Sequence, residues 1–175
     1  MFIIYMSSGK DMIVRKATEK DFPSIYFMGH DTWGETLTLE QYALKCSESD
    51  KYESGQWFVL EIDNKIVSSL ICYRNSFGLD ENTVGIGSVA TLPEYRNRGY
   101  VTYLMKEITQ KQNHGKDVKA FFLFSDIKPS FYEQFGFKLL PLNLQRYEKS
   151  KAMVLDLKNH FHFQKKNIES IPVYF

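Results

Sequence analysis

Arg96, Arg98 and Gly99 stand within four residues of one another, where an apolar strand pattern gives way to a helical one. Glycine lets the backbone turn sharply and lie close to a ligand. The first amides of a helix have no partner inside it. Together with the positive end of the helix dipole they form a site for a phosphate. Guanidinium groups suit phosphate oxygens and add charge. The run Arg96, Asn97, Arg98, Gly99, Tyr100, Val101 and Thr102 therefore points to a phosphate-bearing ligand. The plainer reading of so short a motif is a helix start with two solvated arginines.

Other reactive side chains carry less. Cys46 and Cys72 lie in unlike contexts and form no metal-ligand spacing, which reads as two buried, reduced thiols in a cytoplasmic setting. His160 and His162 are two residues apart, but no third ligand stands near them, so no metal is expected. Ser125 and Asp126 end an apolar run, where they contact a ligand or cap the next turn. Glu35, Glu81, Asp126 and His30 are candidates for a general base, and each also reads as an ordinary solvated side chain.

The elements that position these groups follow from periodicity. Residues 12–17 form a short strand. Thr18 opens a capping box closed by Asp21, and the spacing predicts a helix over 19–28. Residues 29–37 read as a loop, and Thr38 opens a second capping box, T-L-E-Q, and a helix reaching about Cys46. After the polar stretch 47–55 come strands at 57–62 and 66–74, joined by a tight hairpin over Asp63, Asn64 and Lys65. A strand at 83–92 runs into the arginine segment. Val101, Leu104, Met105 and Ile108 then mark one helix face, which Asn113, His114 and Gly115 end. Residues 119–124 are continuously apolar, as in a strand buried on both faces. A short helix from Pro129 to Gly136 and two closing strands, 137–147 and 151–157, complete the pattern.

The 175 residues suit one domain spanning 1–175, with 1–11 a loose N-terminus and 159–175 weakly patterned. A formal charge of +1 with no basic block gives no reason to expect nucleic acid as a partner. No apolar run reaches membrane-spanning length. The mixed order, with a strand–helix–strand unit at its centre, implies an α+β fold with a mixed sheet.

Three segments resemble the GCN5-related N-acetyltransferase (GNAT) superfamily, in order. VRKATEKDFPSI (14–25) resembles its opening strand and helix. SVATLPEYRNRGYV (88–101) resembles its fourth strand and R/Q-x-x-G-x-G/A motif. FLFSDIKPSFYEQFGF (122–137) resembles its fifth strand, fourth helix and F-Y-E-x-x-G-F signature. Val101 departs from the pattern, since the family usually has Gly or Ala there. It keeps the amide but narrows the approach.

The resemblance implies a GNAT-type acyl-CoA N-acyltransferase fold, with a twisted mixed sheet of about seven strands flanked by about four helices. It implies acetyl-CoA as co-substrate and a pantetheine arm entering beside the splayed fourth strand. The backbone of Val89, Ala90 and Thr91 would bond that arm by strand addition. The amides from Asn97 to Thr102 would hold the pyrophosphate, and an N–H aimed at the thioester oxygen would stabilise the tetrahedral oxyanion. Tyr132 occupies the family's general-acid position, and its phenol, with an ordinary pKa of ~10, is a reasonable donor to a thiolate. Its plainer reading is a tyrosine that only packs.

The implied activity is acetyl transfer to a primary amine: a small molecule, a peptide N-terminus or a protein lysine. The alternative is an acyl-CoA-binding sensor or scaffold of the same fold. Dimers are frequent among proteins of this type.

Overall fold

The computed structural model describes residues 5–7, 10–111 and 117–175. Asn113, His114 and Gly115, expected to end a helix, lie outside the described residues. The chain divides into two compact units. One comprises Met1–Cys72 and Ser88–Ile108; the other comprises Tyr73–Gly87 and Thr109–Phe175.

In the first unit, β1 (Tyr5–Ser7) pairs antiparallel with β2 (Lys10–Lys16), which pairs with β3 (Gln56–Ile62), and β3 with β4 (Lys65–Tyr73). The β3–β4 hairpin turns on two residues rather than three. Ile62 pairs with Lys65, and Asp63 and Asn64 both hold left-handed φ angles of 49° and 62°. That geometry matches the right-handed twist of the strands. Within this unit β4 also neighbours the end of β5 (Thr83–Thr91): the Leu92 amide donates to the Val67 carbonyl at 3.0 Å.

Thr18 and Asp21 form the expected capping box, followed by a short 3-10 turn and α1 (Phe22–Trp33). The helix runs five residues past the expected end. Gly29 explains part of this, because a Cβ there would meet the Tyr42 hydroxyl at 2.6 Å. Its absence lets α1 lie close to α2 (Leu39–Ser47), whose Thr38–Gln41 capping box is also present. A single helical turn, α3 (Asp50–Glu53), interrupts the polar stretch expected to be loop.

Arg15 ties this end together. It donates to Asp21 at 2.6 Å and 2.8 Å and to Glu61 at 2.8 Å. The Arg15 hydrogen bonds hold the buried Asp21 carboxyl down to about 2, despite burial that pushes the other way. Met28, Val59, Leu60, Leu70, Leu104 and Met105 fill the core of the unit.

In the second unit the start of β5 pairs parallel with β6 (Ala120–Ser125), and β6 pairs antiparallel with β8 (Lys151–Asp156). The edge strand β7 (Lys138–Leu139) pairs with β8. Parallel and antiparallel ladders meet on β6, so the sheet is mixed. The parallel ladder runs from Thr83↔Ala120 to Ile86↔Leu123. α5 (Ser130–Glu133) follows β6.

Residues 159–175, weakly patterned in sequence, form short 3-10 turns and a terminal strap. Val173 N–H donates to the Phe77 carbonyl at 2.9 Å, and Phe175 is buried against Tyr73, Phe77, Phe122 and Phe124. Much of the aromatic content therefore fills core. Eight strands and five α-helices are present among the described residues, an α+β fold.

Candidate active site

The arginine segment is a loop and helix start built on two left-handed residues. After a short 3-10 turn at Pro93–Tyr95, Asn97 has φ 60° and Gly99 φ 78°. Gly99 caps α4 (Tyr100–Lys106), which continues as a π-helical turn over Glu107–Lys111. The first helical hydrogen bond runs from the Tyr103 amide to the Gly99 carbonyl at 2.9 Å. The amides of Tyr100, Val101 and Thr102 thus precede the ladder. Among the described residues, no atom lies within 4 Å of where a Gly99 Cβ would stand, so the cradle is open at this point. Both features fit a bound diphosphate.

The two arginines differ. Arg96 is engaged within the protein. Its guanidinium donates to Asp31 on α1 and, through Nε, to the Thr91 carbonyl at 3.1 Å. Its amide donates to Pro93 at 3.2 Å. Arg98 is exposed and lies 5.5 Å from the centre of the Tyr95 ring. Arg96 therefore braces the segment, and Arg98 offers charge to solvent.

Val89, Ala90 and Thr91 end β5. The Ser68 hydroxyl donates to the Ala90 carbonyl at 2.7 Å and lies 2.9 Å from the Thr91 hydroxyl. Ser88 precedes them with φ 45°, a strained value for a non-glycine residue. Residues from Gly87 onward stand outside the parallel ladder, which stops at Ile86.

In the second unit, Tyr132 on α5 is 7% exposed. Burial, aided by the nearby Asp126 charge, pushes its phenol well above the ordinary tyrosine value. It stays protonated across the neutral range and keeps a proton to donate. Ser125 is buried, and its hydroxyl donates to the Ile127 carbonyl at 2.8 Å. Asp126 accepts hydrogen bonds from Ser150 and, at 2.7 Å, from Tyr174. That last contact was not legible in the sequence.

The remaining base candidates are each accounted for locally. His30 Nε2 lies 2.8 Å from the Leu37 carbonyl. Glu35 is exposed, with φ 49°. Glu81 is exposed beside Asn82. β5 carries no carboxylate. His160 pairs with Asp80 at 3.2 Å, and no group of three or more His, Cys, Asp or Glu among the described residues could hold a metal ion. Cys46 and Cys72 are buried thiols. No helix among the described residues is long and apolar enough to cross a membrane.

Sequence reasoning missed Ser69, whose buried hydroxyl has no partner among the described residues. Two successive serines inside the apolar run of β4 were the available signal.

No curated protein matches the chain. Among solved structures, a conserved protein of unknown function from Enterococcus faecalis V583 aligns with TM-score 0.58 and 23% identity, over 74% of this chain. The chain spans 33% of that protein's length. The GNAT family N-acetyltransferase YhbS of Escherichia coli, solved in complex with CoA, aligns with TM-score 0.67 and 18% identity, over 89% of this chain and 86% of its own. N-acetylglutamate synthase of Neisseria gonorrhoeae, complexed with coenzyme A and N-acetyl-glutamate, gives 0.63 and 16%, over 85% of this chain and 35% of its own. At such identities the likeness speaks for the fold. A family model for the acetyltransferase (GNAT) domain matches residues 13–140, well over half of the chain. The chain therefore belongs to the GNAT acetyltransferase family and is an acyltransferase.

Proposed function

We propose that the protein transfers the acetyl group of acetyl-CoA to a primary amine, which attacks the thioester carbonyl directly through a tetrahedral intermediate. The observation that carries this reading is the junction at Asn97–Thr102, where two left-handed residues precede a helix start with open amides. Family membership and the CoA complexes of YhbS and N-acetylglutamate synthase support the same cofactor.

In this reading the amides from Asn97 to Thr102 bind the pyrophosphate, and Arg98 supplies charge. Arg96 positions the segment through Asp31 and Thr91. The β5 peptide groups at Val89, Ala90 and Thr91, beyond the end of the parallel ladder, accept the pantetheine arm by strand addition. Acetyl-CoA supplies the activated acyl group. Tyr132 donates the proton that the departing thiolate takes up. The acceptor is a primary amine of a small molecule, a peptide N-terminus or a lysine.

Release of free thiol from acetyl-CoA, followed across a panel of amines, tests the reading. Amine-dependent release supports it. Cofactor binding without release from any amine points instead to a non-catalytic acyl-CoA-binding module.

A further inference from the structure

A cavity of ≈ 380 Å³ lies in the second unit, where β7 and β8 meet the segment that follows β8. Small-molecule sites occupy roughly 300–1,000 Å³. The cavity shares no lining residue with Tyr132, Ser125 or Asp126. Along the β6–β8 ladder Ser125 pairs with Lys151, whereas Asp156, in the cavity lining, pairs with Ala120 at the other end.

Strand register explains what faces this space. Lys138, Val154 and Phe122 stand opposite one another across β7, β8 and β6, so they share one face of the sheet. Asp156, two residues on from Val154, lies on that face as well. Val154 and Phe161 are the apolar part of the lining, and both are buried. Phe161 rests on Phe122, with ring centres 6.2 Å apart. Lys138 reaches the space from the edge strand, and Lys165 from the 3-10 turn Phe163–Lys165.

The charged groups have different duties. Asp156 is used within the fold. Its Oδ1 accepts from the amides of Lys158 at 3.3 Å and His160 at 2.8 Å, and its Oδ2 from the amide of Phe161 at 2.9 Å. These bonds offset its charge and fix the turn that carries Phe161. No other carboxylate is in the lining among the described residues. Lys138 and Lys165 make no hydrogen bond or ion pair among the described residues. Lys65 and Lys166 differ: the first is paired with Glu94, and the second lies 5.1 Å from the centre of the Phe161 ring. With His162 neutral, two lysines less one carboxylate leave the lining one positive charge.

We propose that this cavity binds a small monocarboxylate with an apolar body, its head held by Lys138 and Lys165 and its body against Val154 and Phe161. A lysine on an open surface is solvated on every side. In a concave space with an apolar floor a carboxylate loses part of its water, and its attraction to an ammonium strengthens. One negative charge neutralises the lining. A phosphate monoester carries about −1.5 to −2 near neutral pH, more than the lining offsets. The lining also has no arginine to grip a phosphate by two parallel bonds.

The test titrates 3-(4-fluorophenyl)propionate into the full chain, followed by fluorine NMR. We expect saturable binding at about 1 mM or below. Lys138→Met and Lys165→Met should each weaken it about three-fold, and the double variant about ten-fold. Both side chains are exposed, so the melting temperature should not change. Added salt should weaken binding. The uncharged 3-(4-fluorophenyl)propan-1-ol should bind about ten-fold more weakly, and 4-fluorophenyl phosphate more weakly than the carboxylate. Saturating CoA should leave the carboxylate bound. No saturation by about 10 mM, equal affinity for the alcohol, tighter binding of the phosphate, indifference to the double variant, or displacement by CoA overturns the proposal.

Discussion

Arg96 on the loop before α4 is paired with Asp31 on α1, so the segment assigned to the pyrophosphate is anchored by a side chain 65 positions earlier. The pair is about 40% exposed and contributes little stability by itself. Its role is to hold the loop. Arg98→Met is therefore expected to weaken CoA binding about ten-fold and to flatten its salt dependence. Arg96→Met and Asp31→Asn should each weaken it less than about three-fold, with the salt dependence kept. Calorimetric titration at low and high salt distinguishes the two arginines.

Gly99→Ala isolates backbone conformation from collision. The φ of 78° penalises any side chain, yet the space for a Cβ is empty. We expect a stability loss of about 1–2 kcal/mol in urea unfolding and weaker CoA binding. Unchanged stability would show that the segment readily adopts another conformation.

Tyr132→Phe removes the assigned proton donor from a buried site. Its expected signature is a fall in kcat of about a hundred-fold or more, with CoA affinity unchanged. The raised phenol keeps its proton through neutral pH, so the wild-type rate should show no alkaline limb from this group below about pH 10. Steady-state rates over pH, with calorimetry on the variant, check both. An unchanged kcat would leave Tyr132 as a packing residue.

The Arg15–Asp21 contact makes stability depend on acid. Asp21 has its carboxyl lowered to about 2 in the fold, against an unfolded value near 3.8. Its contribution is complete above the unfolded value and is lost as pH falls through the folded one. That amounts to roughly 2 kcal/mol. Urea unfolding of wild type and Asp21→Asn should differ by about this much near neutral pH and converge toward about pH 2.

What the sequence disclosed was local chemistry. Both capping boxes, the hairpin and the strand-to-helix junction depend on neighbours within a few residues, and all are present. The α1 extension was hidden because it depends on Gly29 meeting Tyr42 on another helix. Engagement of Arg96 by Asp31, and of Asp126 by Tyr174, joins residues far apart in the chain, which no spacing rule reports. The terminal strap was illegible for the same reason: Phe175 is held by aromatic packing rather than by any periodic pattern.

Titration of the full chain with CoA by isothermal calorimetry bears most directly on the Asn97–Thr102 assignment. We expect one saturable site of micromolar affinity, weakened by Arg98→Met and by Gly99→Ala. No saturable heat at millimolar CoA, or binding indifferent to both substitutions, would contradict it.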